Sequence, residues 1–451
     1  MAVKGPTDPV RPTLDPKQHL LTALVVPNDT VQPQQPSLGP STPSVRETAT
    51  KPTVVLIAYA CRPGAGSESG VGWEWARAAS EVGNVILLAG MTSERPAVER
   101  AIVEHQLSIK PLWVTLPARL ESILLRGQPN SILRHANGSL RYCLWQVAAA
   151  RTLFNLERHQ HVDVVHHVTF ASDSFPTAII AARAPIRIWG PVGGTTRMPL
   201  PLYYYLGFRG SMAELARVVT TSVFRVVFGS LAARRSTLLL ALNPDVERRF
   251  RRHHARISVQ SNTALPPGLL SSLDAHRATS GTRPIAVYAG RLLPWKGLRA
   301  AIRCLQYASN WTLIIFGEGP DKAPLLALAH RLGVEARVQL RGTATRRDVM
   351  NAMAAADAFL FPSFHDSAGA AAAEASALGC PVICLDLGGP PLQAGRNAHV
   401  VPALPARTLP KRLASALADV AGHGAPDNHL GAERLSDLLR QYYSGSTDGV
   451  T

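Results

Sequence analysis

Strand candidates that alternate with helical patterns along most of the chain constrain the fold more than any other feature. The first candidate, Thr53–Ala60, is a continuous apolar run, which is typical of a parallel strand buried on both faces. Further candidates follow at Asn84–Ala89, Trp113–Leu116, Asp163–Val168, Ile186–Trp189 and Thr237–Leu242. Helical patterns lie between them, so the first half of the chain predicts an α/β domain with a doubly wound parallel sheet.

The alternation starts again after a segment rich in proline and glycine, which predicts a second domain of the same class. Its strand candidates are Ile285–Ala289, Trp311–Phe316, Val338–Leu340, Ala358–Phe361 and Pro381–Leu385. Residues 1–51 are rich in Pro, Thr, Ser and Gln, which predicts a flexible, disordered tail. The expected organisation is the tail at 1–51, a first domain at 52–265, a linker at 266–283, a second domain at 284–405, and a C-terminal helical segment and tail at 406–451.

Composition limits the class of protein and its compartment. Hydrophobic residues make up 46% of the chain and charged residues 17%, which excludes wholesale disorder. The five cysteines do not suit a disulfide framework, and no apolar run approaches the roughly 20 residues that span a bilayer. The start of the chain has no signal-peptide pattern. We therefore expect a cytoplasmic protein, either soluble or peripheral at the inner face of the membrane.

The formal net charge of +16 predicts an anionic partner, such as nucleic acid, anionic lipid or a phosphorylated small molecule. No zinc-finger spacing, RNP-like motif or basic zipper accompanies the charge, so we expect no nucleic acid. The basic residues are densest between Tyr203 and Gln260. Within that region Ser211–Leu231 has the pattern of a basic amphipathic helix. Such a helix either lies on an anionic membrane surface or packs on its own domain with a solvated basic face.

Charged side chains and glycines follow four strand candidates of the second domain. Arg291 and Lys296 follow the first strand, Glu318 the second, Asp366 and Glu374 the fourth, and Gly388 with Gly389 the fifth. Because ligands bind beyond the carboxyl ends of the strands in open α/β sheets, these residues are expected at one edge. The two cations suit a diphosphate, or they are two solvated loop cations.

The carboxylates of Asp366 and Glu374 stand eight residues apart, the first in a loop and the second on a helix, so they can converge on one ligand. They fit a general acid/base pair, a metal site or two acceptors for sugar hydroxyls. No third carboxylate and no histidine pair at metal spacing accompanies them. We therefore expect no metal. Asp366 alone also fits a helix-N-terminal acid.

Two glycine-rich turns and a histidine pair follow strands of the first domain. The turn Gly64–Gly70 lacks the strict G-x-G-x-x-G spacing and an acidic residue about 20 positions further on, so a dinucleotide site is poorly supported. It and Pro191–Gly194 are turns that either let a ligand approach the backbone or serve only as tight turns. His166 and His167 end a strand that is expected to face the same cleft, where a histidine is either a structural hydrogen-bonding group or functional.

Taken together, these motifs resemble the GT-B-fold glycosyltransferases of family 4 over about residues 52–400 of the chain. The second domain carries Ala289–Gly297, Phe316–Pro320 and Phe361–Ala375, and the last is similar to the family's E-x7-E motif. In the first domain Tyr59–Glu68 and Trp189–Gly194 resemble a bacterial subset of the family. The resemblance implies two Rossmann-like domains that face a central cleft.

The resemblance also implies a function and a role for each candidate residue. A nucleotide-diphosphate sugar would bind mainly to the second domain and an unidentified hydroxyl acceptor, either lipid-linked or soluble, mainly to the first. Arg291 and Lys296 would neutralise the diphosphate, Glu374 would hold the ribose, Asp366 would contact the sugar, and His167 would reach the transferred sugar. Gly66, Gly193, Gly194, Glu318, Ser367, Gly369, Gly388 and Gly389 would complete the donor site. Such enzymes need no metal or other cofactor and retain the anomeric configuration, because the leaving phosphate assists a front-face attack.

Two departures from the family pattern keep alternatives open. Asp366 is one methylene shorter than the glutamate usual in the motif, and Ala370–Ala373 replace bulkier apolar residues, which either enlarges the donor pocket or loosens the helix. The first hypothesis is a retaining glycosyltransferase that builds a polysaccharide, glycolipid or glycosylated metabolite. The second is a non-catalytic sugar-nucleotide-binding or partner subunit on the same fold, and the third is a sugar-nucleotide epimerase. A nicotinamide oxidoreductase is disfavoured.

Overall fold

The computed structural model describes residues 51–125, 131–252, 254, 256–266, 268, 283–420, 422 and 424–445. Nearly all of the expected tail at 1–51 and most of the expected linker at 266–283 lie outside the described residues. Within the described part of the chain, the strands form two separate parallel sheets. Both α/β domains expected from the alternation of strands and helices are therefore present.

The first sheet has the strand order β3-β2-β1-β4-β5-β6-β7. Its strands are β1 Thr53–Ile57, β2 Asn84–Ala89, β3 Ile109–Trp113, β4 Val164–His167, β5 Ile186–Val192, β6 Leu238–Ala241 and β7 Ile257–Val259. The helices of this part are α1 Ser67–Val82, α2 Arg95–Glu104, α3 Ala118–Leu125, α4 Ser131–His159, α5 Gly207–Phe224, α6 Ser230–Arg235 and α7 Pro244–Phe250. A π-helical turn, Arg225–Gly229, joins α5 to α6 without a break.

The second sheet has the strand order β10-β9-β8-β11-β12-β13. Its strands are β8 Ile285–Ala289, β9 Thr312–Phe316, β10 Val338–Gly342, β11 Ala358–Phe361, β12 Val382–Leu385 and β13 Ala398–Val401. The helices are α8 Leu298–Cys304, α9 Lys322–Arg331, α10 Arg346–Ala355, α11 Ala370–Ala377, α12 Pro390–Ala394, α13 Leu409–Ala418 and α14 Glu433–Tyr443. The last two helices pack on different domains. Helix α13 packs on α8 of the second domain, whereas α14 packs on α1 of the first domain.

Each face of the first sheet is covered by its own hydrophobic core. Val54 and Leu56 of β1 contribute to one core, and Val55 and Ile57 contribute to the other. Successive side chains of a strand point to opposite faces, so a strand covered on both faces must be apolar throughout. This is the physical reason for the continuous apolar run that begins at Thr53.

The strand predictions differ from the structure mainly at the edges of the sheets. The candidate at 113–116 is displaced, because β3 ends at Trp113 and contains Pro111. Proline is tolerated there because β3 is an edge strand with a free side. The edge strands β7 and β13 have no predicted counterpart, since their partly exposed residues do not form a continuous apolar run.

No uninterrupted apolar run of bilayer-spanning length was expected from the sequence, but one helix of the described chain is long enough to be considered as a span. The helix Gly207–Arg235, formed by α5, the π-turn and α6, is long and apolar enough to cross a membrane by length and composition alone. Arginine and glutamate residues interrupt its sequence, so it does not stand out as an uninterrupted apolar run.

Two buried histidines on β4 make stability depend on pH. Burial lowers the pKa of His166 to about 3 and that of His167 to about 4, from an ordinary value of 6.5. At a pH between each lowered pKa and 6.5, the unfolded chain binds a proton that the folded chain does not. Each unit of difference in pKa changes the free energy of unfolding by up to about 1.4 kcal/mol. The free energy of unfolding should therefore fall as the pH is lowered from about 6.5 to about 4. Denaturant melts at a series of pH values measure this slope.

His167→Gln should flatten the slope, because it removes one of the buried groups that must stay neutral. His161→Gln is the matched control, since the His161 side chain is 81% exposed. Equal slopes in the His167→Gln variant and the unmodified protein would contradict this account.

Candidate active site

A cleft of about 790 Å³ lies between the two domains, at the carboxyl ends of their strands. Its volume is within the usual range for small-molecule sites. Loops and helix starts of the first domain supply Ser67, Glu68, Phe170, Ser172, Phe175, Gly193 and Gly194 to its lining. The second domain supplies Arg291, Trp295, Lys296, His365, Asp366, Ser367, Gly369 and Ala370. The predicted sheet-edge residues thus largely converge on one cavity.

A second, much smaller pocket adjoins this cleft and holds the remaining predicted carboxylate. Gly66, Glu74, Arg346 and Glu374 line it, and it shares Ser67, Val71, Thr263 and Ala370 with the cleft. Gly66 and Glu374, predicted on separate domains, therefore lie at the same pocket.

The two predicted cations lie on the loop between β8 and α8. Lys296 pairs with Asp366, and its Nζ lies 5.7 Å from the centroid of the Phe361 ring. Arg291 is exposed, and its guanidinium forms no ion pair with any described residue. One cation is therefore neutralised by a carboxylate, whereas the other is available at the mouth of the cleft.

Gly297 fixes the position of Lys296. Its φ is +74°, and a Cβ at this position would lie 1.9 Å from the carbonyl oxygen of Pro362. The left-handed conformation and the close approach both favour glycine. This contact holds the β8–α8 loop against the loop after β11, which brings Lys296 to Asp366.

Asp366 and Glu374 have different partners. Glu374 accepts a hydrogen bond of 2.8 Å from Nε of Arg346, and Nη2 of the same arginine lies 2.7 Å from the carboxylate. Asp366 instead pairs with Lys296. Each carboxylate is thus oriented by its own cation. Among the described residues, no group of three or more His, Cys, Asp and Glu side chains is arranged to hold a metal ion.

Helix α11 begins at the cleft. Gly369, with φ +89°, precedes it, and Ala370 and Ala371 in its first turn line the cavity. The N-terminus of a helix attracts anions through its free N–H groups and its dipole. Ala372 and Ala373 are buried in the domain, so the alanine run forms a packed helix, with only its first two residues at the cleft.

Two non-glycine residues of the first-domain wall adopt left-handed backbone conformations. Ser67 has φ +59° and Phe170 has φ +53°, and both line the cleft. The side chain of Glu68 accepts a hydrogen bond of 2.8 Å from the backbone N–H of Phe170, which ties the two segments together. Conformations of this kind are costly and cluster at ligand sites.

Hydrogen bonds join the two walls at the base of the cleft. The backbone N–H of Gly194 donates to Oγ of Ser367 at 3.3 Å, and the side-chain amide of Asn243 donates to the carbonyl of Ser367 at 2.9 Å. Behind the wall, buried Asp173 pairs with Arg225 at 3.2 Å and with Arg249 at 3.5 Å. Arg225 also donates to the carbonyl of Gly194. A buried charge cluster therefore anchors the Gly193–Gly194 turn.

The structure does not bring His167 to the cleft. Its ring is buried, with Nδ1 at 2.8 Å from Oγ1 of Thr177 and Nε2 at 3.2 Å from the amide of Gln146. Side chains of a strand alternate between faces, and His167 points to the face covered by α4. It is a structural histidine in this arrangement.

Three more predicted donor residues lie beside the cleft and not in its lining. Glu318 pairs with Lys322 at 2.8 Å on the outside of the second domain. Gly389 donates its backbone N–H to the carbonyl of Asp366 at 3.0 Å, and Gly388 packs against the same carbonyl. The two glycines thus support the Asp366 loop from behind.

Sequence reasoning missed Arg346 and His365. Thr345 caps α10 and places Arg346 in its first turn, at the carboxyl edge of the sheet, which is the signal that could have found it. His365 precedes Asp366 and lines the cleft, and its Nε2 has no hydrogen-bond partner among the described residues. Burial lowers the pKa of His365 to about 4, so its ring is neutral at physiological pH.

Comparisons with known proteins identify relatives for the second domain and for the fold. Residues 273–421 match the family of glycosyl transferases group 1. The chain is 30% identical over 176 residues to a D-inositol 3-phosphate glycosyltransferase of Corynebacterium glutamicum, over 34% of this chain and 42% of the relative. It is 29% identical over 110 residues to a 2-deoxystreptamine glucosyltransferase of Streptomyces kanamyceticus, over 24% of this chain and 28% of the relative. The chain thus spans less than half the length of either relative.

Solved structures match over almost the whole described chain. A sucrose-phosphate synthase from Thermosynechococcus elongatus superposes with a TM-score of 0.54 at 15% identity, covering 88% of this chain and 100% of that one. WaaG, described as a glycosyltransferase involved in lipopolysaccharide biosynthesis, has a TM-score of 0.50 at 17% identity, covering 87% and 96%. These likenesses confirm the predicted GT-B fold.

Loss of the buried arginine that anchors the cleft wall should destabilise the protein. Arg225→Met leaves Asp173, which is fully buried, with Arg249 as its remaining ion-pair partner. We expect the free energy of unfolding in urea to fall by about 3 kcal/mol. Arg248→Met is the matched control, since that arginine is 74% exposed and its pair with Asp245 is worth at most about 1 kcal/mol. Similar losses in both variants would show that the buried cluster is not an anchor.

Proposed function

Since residues 273–421 match the glycosyl transferases group 1 family, we propose that the chain is a retaining glycosyltransferase. It moves a sugar from a nucleotide-diphosphate sugar to a hydroxyl group of an acceptor. The observation that carries this proposal is the second-domain wall of the cleft, where Arg291, Lys296 and the N-terminus of α11 converge opposite the first-domain wall. The match to the family covers the domain that supplies this wall.

The cationic wall suits the diphosphate of the donor. Arg291 offers a free guanidinium fork, Lys296 a point charge, and the first turn of α11 offers backbone N–H groups. When the donor binds, Lys296 turns its charge to a phosphate, and Asp366 is left free to accept hydrogen bonds from the hydroxyls of the sugar. The pairing of Lys296 and Asp366 keeps both groups ordered and neutralised before the donor arrives.

The carboxylate at the small adjoining pocket suits the ribose of the donor. Glu374, oriented by Arg346, is an acceptor for the two ribose hydroxyls. The neutral ring of His365 lies beside Asp366 with an unpartnered nitrogen, so His365 takes the role of sugar contact that the family resemblance implied for His167.

The reaction then needs a stabilised leaving group and an acceptor hydroxyl on the same face of the sugar. The bond between the anomeric carbon and the diphosphate oxygen breaks as the bond to the acceptor oxygen forms. The acceptor proton passes to the departing phosphate oxygen, so the configuration is retained. A cation that lies about 4 Å from the developing charge on the diphosphate attracts it by roughly 4 kcal/mol in an effective dielectric near 20. Arg291 and Lys296 would each contribute such an attraction. We propose that they act without a metal.

A non-catalytic sugar-nucleotide-binding subunit is the second candidate. Ala370 and Ala371 leave the start of α11 without side chains that could contact a sugar, and this observation favours it. The two candidates are separated by incubating the protein with a panel of nucleotide sugars and measuring release of the nucleoside diphosphate. Release, to water or to an acceptor, supports the transferase, whereas donor binding without release supports the binding subunit.

Lys296→Ala should lower kcat/KM for nucleoside-diphosphate release by about a hundredfold to a thousandfold, the usual effect of removing one group that stabilises developing charge. Lys322→Ala is the matched control, because that lysine pairs with Glu318 on the surface. If kcat/KM of the Lys296 variant stays within about threefold of the unmodified enzyme, the diphosphate does not contact this lysine.

Glu374→Gln should raise the donor KM with little change in kcat, because a ribose contact contributes equally to the ground state and the transition state. Glu318→Gln is the matched control, since the structure places that carboxylate outside the cleft lining. Initial rates at varied donor concentration give both constants. An unchanged KM for the Glu374 variant would remove this residue from the donor site.

A further inference from the structure

The continuous helix Gly207–Arg235, called here the outer helix, is attached to the first domain along one side only. Glu214, Arg225, Gly229, Ala232 and Ala233 are buried on that side. At about 1.5 Å per residue the outer helix is roughly 43 Å long. Its opposite side is therefore an extended surface that the described residues leave uncovered.

The exposed side of the outer helix is apolar along its whole length. Its large apolar side chains recur every three or four residues, which places them in one stripe. The stripe consists of Phe208 (82% exposed), Met212 (53%), Leu215 (48%), Val219 (60%), Val223 (64%), Val227 (54%) and Leu231 (41%). Leu200 and Tyr204, in the turn before the helix, are 73% and 68% exposed and enlarge the patch. A patch of this extent marks a protein or membrane interaction surface.

Basic residues flank the stripe. Arg209 lies at the start of the outer helix, and Arg234 and Arg235 at its end, and all three are exposed. The acidic residue of the helix, Glu214, is buried and paired with Arg217. The exposed surface of the helix thus combines apolar side chains with positive charge, the combination that binds anionic bilayers.

We propose that the outer helix docks on the surface of an anionic lipid bilayer, with its apolar stripe inserted to the depth of the headgroups. This partner is independent of the proposed transferase activity, because neither a sugar donor nor an acceptor takes part in the docking.

The attachment of the outer helix to its domain argues against a helix that spans the bilayer. The Arg225 guanidinium, near the middle of the helix, is held by Asp173 and by the carbonyl of Gly194. A span would break these contacts and carry charged Arg225 into the hydrocarbon, at about 3 kcal/mol for an arginine at the centre of the bilayer. An interfacial helix keeps every one of these contacts.

The charges also argue against a second copy of the chain as the partner. In an antiparallel pair of outer helices, Arg209 of each copy would approach Arg234 and Arg235 of the other. Like charges at such an interface repel. An anionic surface instead attracts all three arginines.

The contacts of Arg225 link the docked helix to the cleft. Arg225 donates to the carbonyl of Gly194, and the N–H of Gly194 donates to Ser367 on the opposite wall. A protein docked through the outer helix therefore holds this turn at a set position relative to the lipid headgroups.

Flotation of the full chain with vesicles tests the proposal. The vesicles are phosphatidylcholine alone or phosphatidylcholine mixed with phosphatidylglycerol. We expect the protein to float with the mixed vesicles, and to float less when salt is added, because salt screens the arginines. A protein that floats with neither kind of vesicle, or equally with both at every salt concentration, overturns the proposal.

A stripe variant locates the contact. It combines Phe208→Gln, Val219→Gln, Val223→Gln and Val227→Gln, and its partition into the mixed vesicles should fall at least about tenfold, since burying one such side chain is itself worth tenfold or more. The matched control places four glutamines at exposed apolar positions elsewhere. These are Val103→Gln, Ile123→Gln, Tyr307→Gln and Leu326→Gln, at residues that are 79%, 63%, 54% and 48% exposed. Equal partition of the two variants overturns the proposal.

A second variant tests the role of the arginines, and two further measurements distinguish interfacial docking from a membrane span and from self-association. Arg209→Gln combined with Arg234→Gln should weaken binding to the mixed vesicles and leave the thermal midpoint unchanged, because both side chains are exposed. Resistance of the vesicle-bound protein to alkaline carbonate would indicate a span. A change from dimer to monomer in the stripe variant, without any binding to vesicles, would indicate self-association. Either result overturns the interfacial docking.

Discussion

Both sheets are parallel and covered on both faces, and this constraint decides where the chemistry of the molecule can lie. The β1 residues Val54–Ile57 are completely buried and feed two separate cores. Polar and charged side chains are costly along such strands and collect in the loops beyond the strand ends. The cleft is the space between these loops, so it is built from both domains and depends on contacts such as that of Gly194 with Ser367.

Most of the charged groups of the cleft are paired with one another. Lys296 pairs with Asp366, Glu374 pairs with Arg346, and only Arg291 is without an ion pair among the charged residues proposed to contact the donor. Paired groups are held in place by their partners, which limits the reorganisation needed when a diphosphate and a sugar enter. In the proposed function Lys296 exchanges Asp366 for a phosphate, and Asp366 exchanges Lys296 for sugar hydroxyls. Both groups are already partly removed from water by their pairing, which reduces the cost of desolvating them when the donor binds.

The sequence predicts most of the fold because a buried parallel strand leaves few alternatives. The interior strands β2, β8 and β11 have the predicted bounds, whereas edge strands such as β7 mix polar and apolar residues and have no clear signal. At the site, Lys296 and Asp366 could be found because loops after parallel strands meet at one edge. His167 could not be placed by the same rule, because its position at a strand end does not say which face its side chain takes. The meeting of Arg346 with Glu374 depends on the packing of two helices, which no local pattern records.

The proposed function requires that Arg291, Lys296 and the start of α11 bind a nucleoside diphosphate without a metal. Calorimetric titration of the protein with UDP, GDP, ADP and dTDP, in the presence of EDTA, measures this binding. One of these nucleotides should bind, and the matching nucleoside monophosphate should bind more weakly because it lacks the second phosphate. If none of them binds, or if binding begins only when a divalent metal is added, the cationic wall of the cleft is not a metal-independent diphosphate site.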